Sequence, residues 1–548
     1  MTILTLNRKE LEKKVGKITP AIEDKITMMG TPVEEVKDSE VSVEVFPNRP
    51  DLLSMQGFTR SLLQYLGKTG VANFKVNSPE KDYKVKIDKS VKKVRPFTAC
   101  CVIKGLKLDD EKIKEIIDIQ EKLHLTLGRK RKKLAIGIYP MEKIKMPIRF
   151  MGKNPDEIKF IPLEMDKEIT GRQILSRHPA GRDYAHLLEG YDIFPFFIDA
   201  DNKVLSMPPI INSHETGKIN EKTKDVFIEC SGFNLAYLKK VINILAAAFS
   251  DLGGKIYAME IEDPAGNFIS PNLEMEKMEF KISDINKTLG LDLNEKDVKN
   301  YLAQMGIGFE KVKDKTIALI PSYRTDILHW IDLTEEVALA YGYENFKEEI
   351  PAISTIAQED NMSVMKRKLR EILAGLELLE VSSFHLAVKS DVKKIYHSSN
   401  NFIEVIESKT EYDVLRNDLL SNLCKILSEN LSSTYPQKIF EIGRTFEKDE
   451  KEETGIKESE KLAIALTDEK VNFTDLKQVL DYLMKMMDKE YTIEETEHEG
   501  FIEGRSGKIL VDKKMVGVIG EVCPRAIRNW KLKMPVAALE LDVGLLMD

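Results

Sequence analysis

The sequence predicts a multidomain α+β protein, and three observations carry that reading. At 548 residues the chain is several times the usual domain size of roughly 100 to 200 residues, so more than one core is expected. Strand-like and helical patterns interchange along its length, with a hairpin pattern at Gly507 to Val518 and a closing strand at Ala537 to Val543 near the end. Hydrophobic content of 42% beside 31% charged residues supplies apolar material for real cores under a solvated surface. No repeat at solenoid periods and no low-complexity tail interrupts this picture.

Taken in order, residues 1–85 form a first module. A helix is expected over Arg8 to Val15, and Val41, Val43 and Val45 alternate as in a strand. In the turn Phe46 to Asp51, Pro47 and Pro50 exclude regular structure around Asn48 and Arg49. Leu52, Leu53, Phe58, Leu62, Leu63 and Leu66 then recur at helical spacing until Gly67, and Asp51 is placed to cap that helix. Residues 86–268 mix strands and helices around two distinctive segments. Arg129, Lys130, Arg131, Lys132 and Lys133 precede the strand Leu134 to Tyr139; five successive cations suit phosphate contacts or an acidic partner, and equally a solvated loop. Pro208 and Pro209 fix backbone direction, so Asn212, Ser213 and His214 are either held in a cleft or belong to plain loop punctuation. Residues 269–350 resemble a winged-helix-like unit. Asn294 and Asp297 cap a helix that Gly306 ends, a strand follows at Thr316 to Ile320, and a further helix runs from Ile331 to Tyr341 before Gly342. Residues 351–548 start with a helix, Val364 to Leu376, and a strand, Val381 to Phe384. A long α/β region follows, in which Glu447 to Lys461 is expected to be a solvated loop.

Several function classes are excluded. The longest uncharged apolar run, Val241 to Ser250, is far shorter than the roughly 18 residues a membrane span needs, and no secretory leader is expected. Five cysteines without a CxxC spacing suit neither a disulfide framework nor zinc and point to a reducing, cytoplasmic compartment. A net charge of -8 restricts any nucleic-acid contact to a local patch or a partner. No P-loop, dinucleotide fingerprint, HExxH or GxSxG motif is present, and the histidines stand singly.

The sharpest local constellation is Tyr323 to Glu336. On a helix, Asp332, Glu335 and Glu336 are spaced to share a face, and Asp326 can approach from the preceding loop. Four converging oxygen donors would select magnesium or calcium. Acidic residues in a first helical turn also stabilise the positive helix end without metal, and Arg324 allows an ion-pair network.

The stretch Tyr323 to Phe346 resembles the fifth B module of the phenylalanyl-tRNA synthetase beta-subunit family, in its archaeal and eukaryotic form, and the resemblance extends over nearly the whole chain. The turn Asn48 to Asp51 is similar to that of the family's first module. Gly128 to Tyr139, Pro208 to Ile219 and Asp225 to Gly232 resemble its tRNA-editing unit, the third and fourth modules. Lys438 to Phe446 and Gly520 to Val543 resemble its degenerate class II synthetase antiparallel-sheet domain. No room is expected for the oligonucleotide-binding insertion or the anticodon-binding module of bacterial relatives.

This resemblance implies a chain that is silent for charging by itself. A catalytic alpha subunit, in an α2β2 heterotetramer, would use ATP to attach phenylalanine to tRNA(Phe). It implies a Mg2+ role for Asp326, Asp332, Glu335 and Glu336, and an editing pocket that includes Asn212, Ser213, Glu229, Ser231 and Asn234. Where archaeal relatives usually carry a Thr-Gly-Thr-Asp-like run, this chain has Ser231-Gly232-Phe233-Asn234, so Phe233 is expected to narrow the pocket and an acidic group is lost. Pro140 replaces another acidic residue. A free-standing editing hydrolase and a non-enzymatic scaffold are the competing readings.

Overall fold

The computed structural model describes residues 2–396, 402–406 and 408–547. It divides into two compact units, Met1–Glu349 and Ile350–Asp548.

The first unit begins with a three-stranded antiparallel sheet in which Glu40–Val45 lies between Thr2–Asn7 and Val33–Val36. Val41, Val43 and Val45 point into the core, as their alternation predicts. The helix Arg8–Val15 forms where expected. After a second helix, Pro20–Met28, the helix Met55–Tyr65 is capped by Ser54, whose hydroxyl accepts from Gly57 N, and not by Asp51. Asp51 is instead drawn into a buried ion pair with Arg49. Gly57 is required here, because a Cβ would lie 1.8 Å from the Asp51 carbonyl oxygen.

Two sheets follow. In the five-stranded sheet, Val226–Gly232 pairs antiparallel with both Phe97–Lys104 and Leu134–Pro140. The helix Leu235–Asp251 covers one face with an apolar stripe that includes Leu238, Ile242 and Leu245. The other face meets a seven-stranded sheet, with Tyr139 and Phe227 from one layer packed among Phe150, Phe197 and Leu205 from the other.

Residues 276–341 contain a three-stranded antiparallel sheet, Glu276–Phe280, Lys315–Ile320 and Gly308–Val312, with helices Ile282–Leu289, Glu295–Gln304 and Trp330–Tyr341. The sequence reading found one of those strands. Asn294 and Asp297 make the expected reciprocal cap, and Gly306 turns the chain with φ 75°.

The second unit is built on a seven-stranded sheet in the order Leu379–Glu380, Gln437–Lys448, Ile456–Thr467, Val536–Asp542, Lys514–Val522, Phe501–Val511, Thr492–Glu495. Helices Asn361–Gly375 and Phe473–Met486 cover one face, and Leu420–Glu429 and Pro524–Asn529 the other. Two expectations are corrected. Glu447 to Lys461 is a solvated loop only over residues 449–455; its two ends are strand, where charges pair across a long hairpin, Arg444 bonding Glu458 at 2.6 Å and Glu460 at 3.2 Å. Val381 to Phe384 is not a strand; the short strand falls two residues earlier, parallel to Ile439 and Phe440.

Candidate functional site

A cavity of about 530 Å³ lies in the two-sheet region of the first unit. Much of its wall is apolar, from Ile113, Ile117, Ile136, Ile138 and Ile211. Into this wall the strand Val226–Gly232 of the five-stranded sheet places Glu229, and the strands Val204–Met207 and Ile211–Asn212 of the seven-stranded sheet place Ser206 and Asn212.

Glu229 is 1% exposed. Burial pushes its carboxyl up to about 8, against the opposing pull of the Arg95 guanidinium. Its Oε1 lies 3.3 Å from Tyr139 Oη, and its Oε2 has no partner among the described residues. Tyr139 Oη has one proton, and the shortest of its bonds, 2.7 Å, donates that proton to Ser206 Oγ; Asn212 Oδ1 stands at 3.4 Å. A neutral Glu229 can therefore donate to Tyr139, which donates to Ser206. The result is a polar floor under an apolar wall.

Arg131 seals one side. Its guanidinium donates to the Ile210 carbonyl at 2.9 Å and to Glu121 Oε1 at 2.9 Å, and lies over the Tyr184 ring. His124 Nε2 accepts from Ile136 N at 2.8 Å, so the proton of the neutral ring sits on Nδ1, toward Glu121. Burial lowers the His124 pKa. The histidine is a strut between helix and strand.

The structure brings Asn212 and Glu229 together in this cavity and separates the other residues predicted with them. Ser213 is buried behind it, with its carbonyl accepting from Gly217 N. Ser231 is also buried; its Oγ and carbonyl receive Arg95 Nε and Nη2 at 3.1 and 2.8 Å. Asn234 caps the helix that follows by accepting from Tyr237 N, and it lines a second cavity of about 640 Å³. Phe233 lines that second cavity too, so it does not narrow the first. In the basic run, Arg129, Lys130 and Arg131 turn through left-handed backbone with φ 45°, 53° and 64°. Arg131 thereby points inward instead of offering itself to phosphate, while Lys132 and Lys133 line the second cavity and Lys130 is exposed.

The sequence reading missed Tyr139, Ser206 and Arg95. A tyrosine inside an otherwise apolar strand was the available signal, since a buried phenol needs a partner. Arg95 carried none, because its partner Ser231 is 136 residues away.

The acidic constellation departs from its expected form. Arg324 grips Asp326 through Nε and Nη2 at 2.8 and 2.6 Å, reaches Glu336 Oε1 at 2.9 Å, and donates Nη1 to the Met305 carbonyl. Asp332 Oδ2 accepts from the amides of Leu328 and His329, both at 2.7 Å, closing a helix cap. Glu335 faces solvent while Glu336 is buried, as a 100° step along a helix requires. Among the described residues no group of three or more His, Cys, Asp or Glu side chains is placed to hold a metal ion. The four carboxylates therefore do not converge, and a magnesium ion does not fit them as they stand. A guanidinium supplies the neutralising charge.

Comparison with known proteins accounts for this layout. The B3/4 domain family matches residues 81–246, the tRNA synthetase B5 domain family residues 278–343, and the phenylalanyl tRNA synthetase beta chain CLM domain family residues 347–543. Together with the fold, these matches define a modular aminoacyl-tRNA synthetase chain. The phenylalanine–tRNA ligase beta subunit of Archaeoglobus fulgidus is 35% identical across 100% of this chain and 99% of its own length. That of Methanocaldococcus jannaschii is 37% identical over 95% of this chain and 96% of its own. The crystal structure of an N-terminal fragment of the Pyrococcus horikoshii phenylalanyl-tRNA synthetase beta subunit superposes with a TM-score of 0.59 at 32% identity, covering 62% of this chain and 100% of the fragment. The chain belongs to the phenylalanine–tRNA ligase beta-subunit family.

Proposed function

We propose that the chain acts with a catalytic alpha subunit, in an α2β2 assembly, to attach phenylalanine to tRNA(Phe) with ATP and Mg2+. Its own contribution is hydrolytic removal of a wrong amino acid in the Glu229 cavity. End-to-end similarity to archaeal beta subunits is the observation that carries the first part. In the second unit both sheet faces are packed with side chains, which supports silence in charging.

The cavity's chemistry supports the second part. An apolar wall with a polar floor suits an aromatic side chain that ends in a hydroxyl. A phenol could exchange hydrogen bonds with Glu229 and the half-buried Asn212, whereas a phenyl ring would leave the buried Glu229 Oε2 unpaired. A site that uses a hydroxyl in this way rejects the analogue lacking it by large factors. Tyrosine is thus hydrolysed from tRNA and phenylalanine retained: water adds to the ester carbonyl, the acyl C–O bond breaks, and the ribose hydroxyl leaves with a proton. Glu229→Ala is expected to lower kcat/KM for tyrosyl-tRNA hydrolysis on the order of a hundredfold, about 2–3 kcal/mol for a buried polar partner. Unchanged deacylation by that variant would remove Glu229 from the site. Charging is expected only when the chain is mixed with its alpha subunit. Charging by the chain alone, or failure of the mixture, would overturn the assignment.

The acidic constellation serves as an ionic lock in this reading and not as a magnesium cage. Asp332→Ala is expected to cost about 1 kcal/mol through loss of the helix cap, equally with magnesium and with EDTA. Thermal unfolding in both buffers measures it, and a loss confined to the magnesium buffer would restore the metal reading.

A further inference from the structure

The second unit holds a cavity of about 330 Å³ between residues 382–392, residues 411–412 and the helix Leu420–Glu429, with Trp530 on its wall. That volume is at the lower end of the roughly 300–1,000 Å³ usual for ligand pockets, so it suits a small molecule. Trp530 is 4% exposed, and its indole Nε1 has no acceptor among the described residues. An indole N–H can only donate, and a buried donor left unpaired costs about 1–3 kcal/mol. A ligand acceptor would relieve it.

The charges around the indole favour an anionic acceptor. Lys394 Nζ lies 4.0 Å from the Trp530 ring centroid and 2.6 Å from an oxygen of Asp391. Lys425, on the cavity wall, stands 3.6 Å from the other oxygen of Asp391. Two ammonium groups thus share one carboxylate, which leaves positive charge beside the unpaired N–H. Toward solvent the sign reverses, because Glu411 and Glu429 line the cavity and are exposed.

The rest of the wall is apolar, from Leu386, Val388, Val392 and Ile426. Phe384, 72% exposed, meets Tyr412 edge to face with centroids 5.9 Å apart. The polar corner at Ser383 is fixed before any ligand arrives. Arg416, buried, donates to Glu441 Oε1 at 2.6 Å and to Ser383 Oγ at 2.9 Å, and Ser383 Oγ donates to Glu441 Oε2 at 2.7 Å. Asn422 Nδ2 donates to the same hydroxyl at 2.6 Å. A corner locked in this way loses little freedom on binding.

A carboxylate alone would meet Glu411 and Glu429 unfavourably, and an amine alone would leave the indole unpaired. We propose that this cavity binds a free α-amino acid with an apolar side chain. Its carboxylate accepts from Trp530 Nε1 and pairs with Lys425, its ammonium group faces Glu411 and Glu429, and its side chain lies against Val392 and Ile426. The site belongs to the second unit and depends neither on the hydrolytic reading nor on charging.

The full chain has two tryptophans, so Trp330→Phe leaves Trp530 as the sole indole reporter. Titration of that variant with L-phenylalanine is expected to change its emission saturably. 3-Phenylpropionate, without the ammonium group, and phenethylamine, without the carboxylate, should each bind at least tenfold more weakly. Lys425→Met should weaken L-phenylalanine about tenfold, and Lys425→Arg, which keeps the charge, should retain it. Joint Glu411→Gln and Glu429→Gln replacement should bring L-phenylalanine down to the level of 3-phenylpropionate. Emission that never saturates would overturn the site. Equal binding of the three probes would reduce it to an apolar pocket without amino-acid recognition. Binding of L-phenylalanine that none of these variants alters would place the amino acid elsewhere on the chain and equally overturn the assignment.

Discussion

Arg324→Met is expected to lower the unfolding free energy of the 1–349 unit by about 3–5 kcal/mol, the usual cost of leaving buried charges without their partner. Arg324 is 2% exposed and sits between Asp326 and Glu336, whose side chains are 8% and 7% exposed. Burial works against the Arg324 cation, but Glu336 and Asp326 outweigh it and raise its pKa. Burial also pushes the Asp326 carboxyl up, and Arg324 more than reverses this, so its pKa is lowered. A lowered folded-state pKa gives stability that is present above the unfolded value and lost as pH falls through the folded one. The Met variant lacks that contribution, so its deficit should be large at neutral pH and shrink as the carboxylates protonate under acid. Denaturant unfolding of the full chain, followed at pH 7 and near pH 4, measures both. A loss below about 1 kcal/mol at pH 7, or a deficit that grows on acidification, would rule out the lock.

The same lock marks where sequence reading stopped. Arg49 and Asp51 repeat the Arg-x-Asp spacing of Arg324 and Asp326, and each pair closes a two-pronged bond over two residues. Thr325 donates to the Asn48 carbonyl at 3.3 Å, so the two turns dock on each other. Read separately, Asp51 resembled a helix cap and Asp326 a metal ligand, although the cation that claims each lies only two residues upstream, at Arg49 and Arg324. Features set by neighbours were legible: the Asn294–Asp297 cap, the Gly306 and Gly342 stops, the Val41–Val45 alternation and the hairpin at Gly507 to Val518. The hairpin through Glu447 to Lys461 was hidden because charge density mimics a loop until the partner strand is known. At the candidate site the resemblance implied Glu229 and Asn212, which line one cavity, while Tyr139 and Arg95 meet Glu229 and Ser231 only through contacts between distant parts of the chain. Phe233 and Asn234 line the second cavity and not the first, since the strand ends at Gly232.

Glu229→Gln is expected to flatten the pH dependence of stability around the cavity. Burial raises the Glu229 carboxyl from 4.5 to about 8, more than Arg95 lowers it. In the unfolded chain it ionises near the ordinary value, while in the fold it keeps its proton to much higher pH. For a raised folded-state pKa the stabilising contribution is complete below the unfolded value and is lost as pH rises toward the folded one. Here the window is pH 4.5 to about 8, with a slope of about 1.4 kcal/mol per pH unit. A glutamine has the shape of the neutral acid and no proton to lose. Its amide can donate to Tyr139 Oη as the neutral carboxyl does, so the chain from residue 229 through Tyr139 to Ser206 survives. The variant and parent should therefore match near pH 4.5 and diverge as pH rises, the variant becoming the more stable by on the order of 4 kcal/mol at pH 8. Hydrogen exchange of the Val226–Gly232 amides reads this locally in the full chain, after correction for intrinsic rates. Parallel profiles for the two proteins between pH 5 and pH 8 would show that Glu229 is already ionised in the fold. The neutral-acid floor, and the preference for a phenol built on it, would then have to be abandoned.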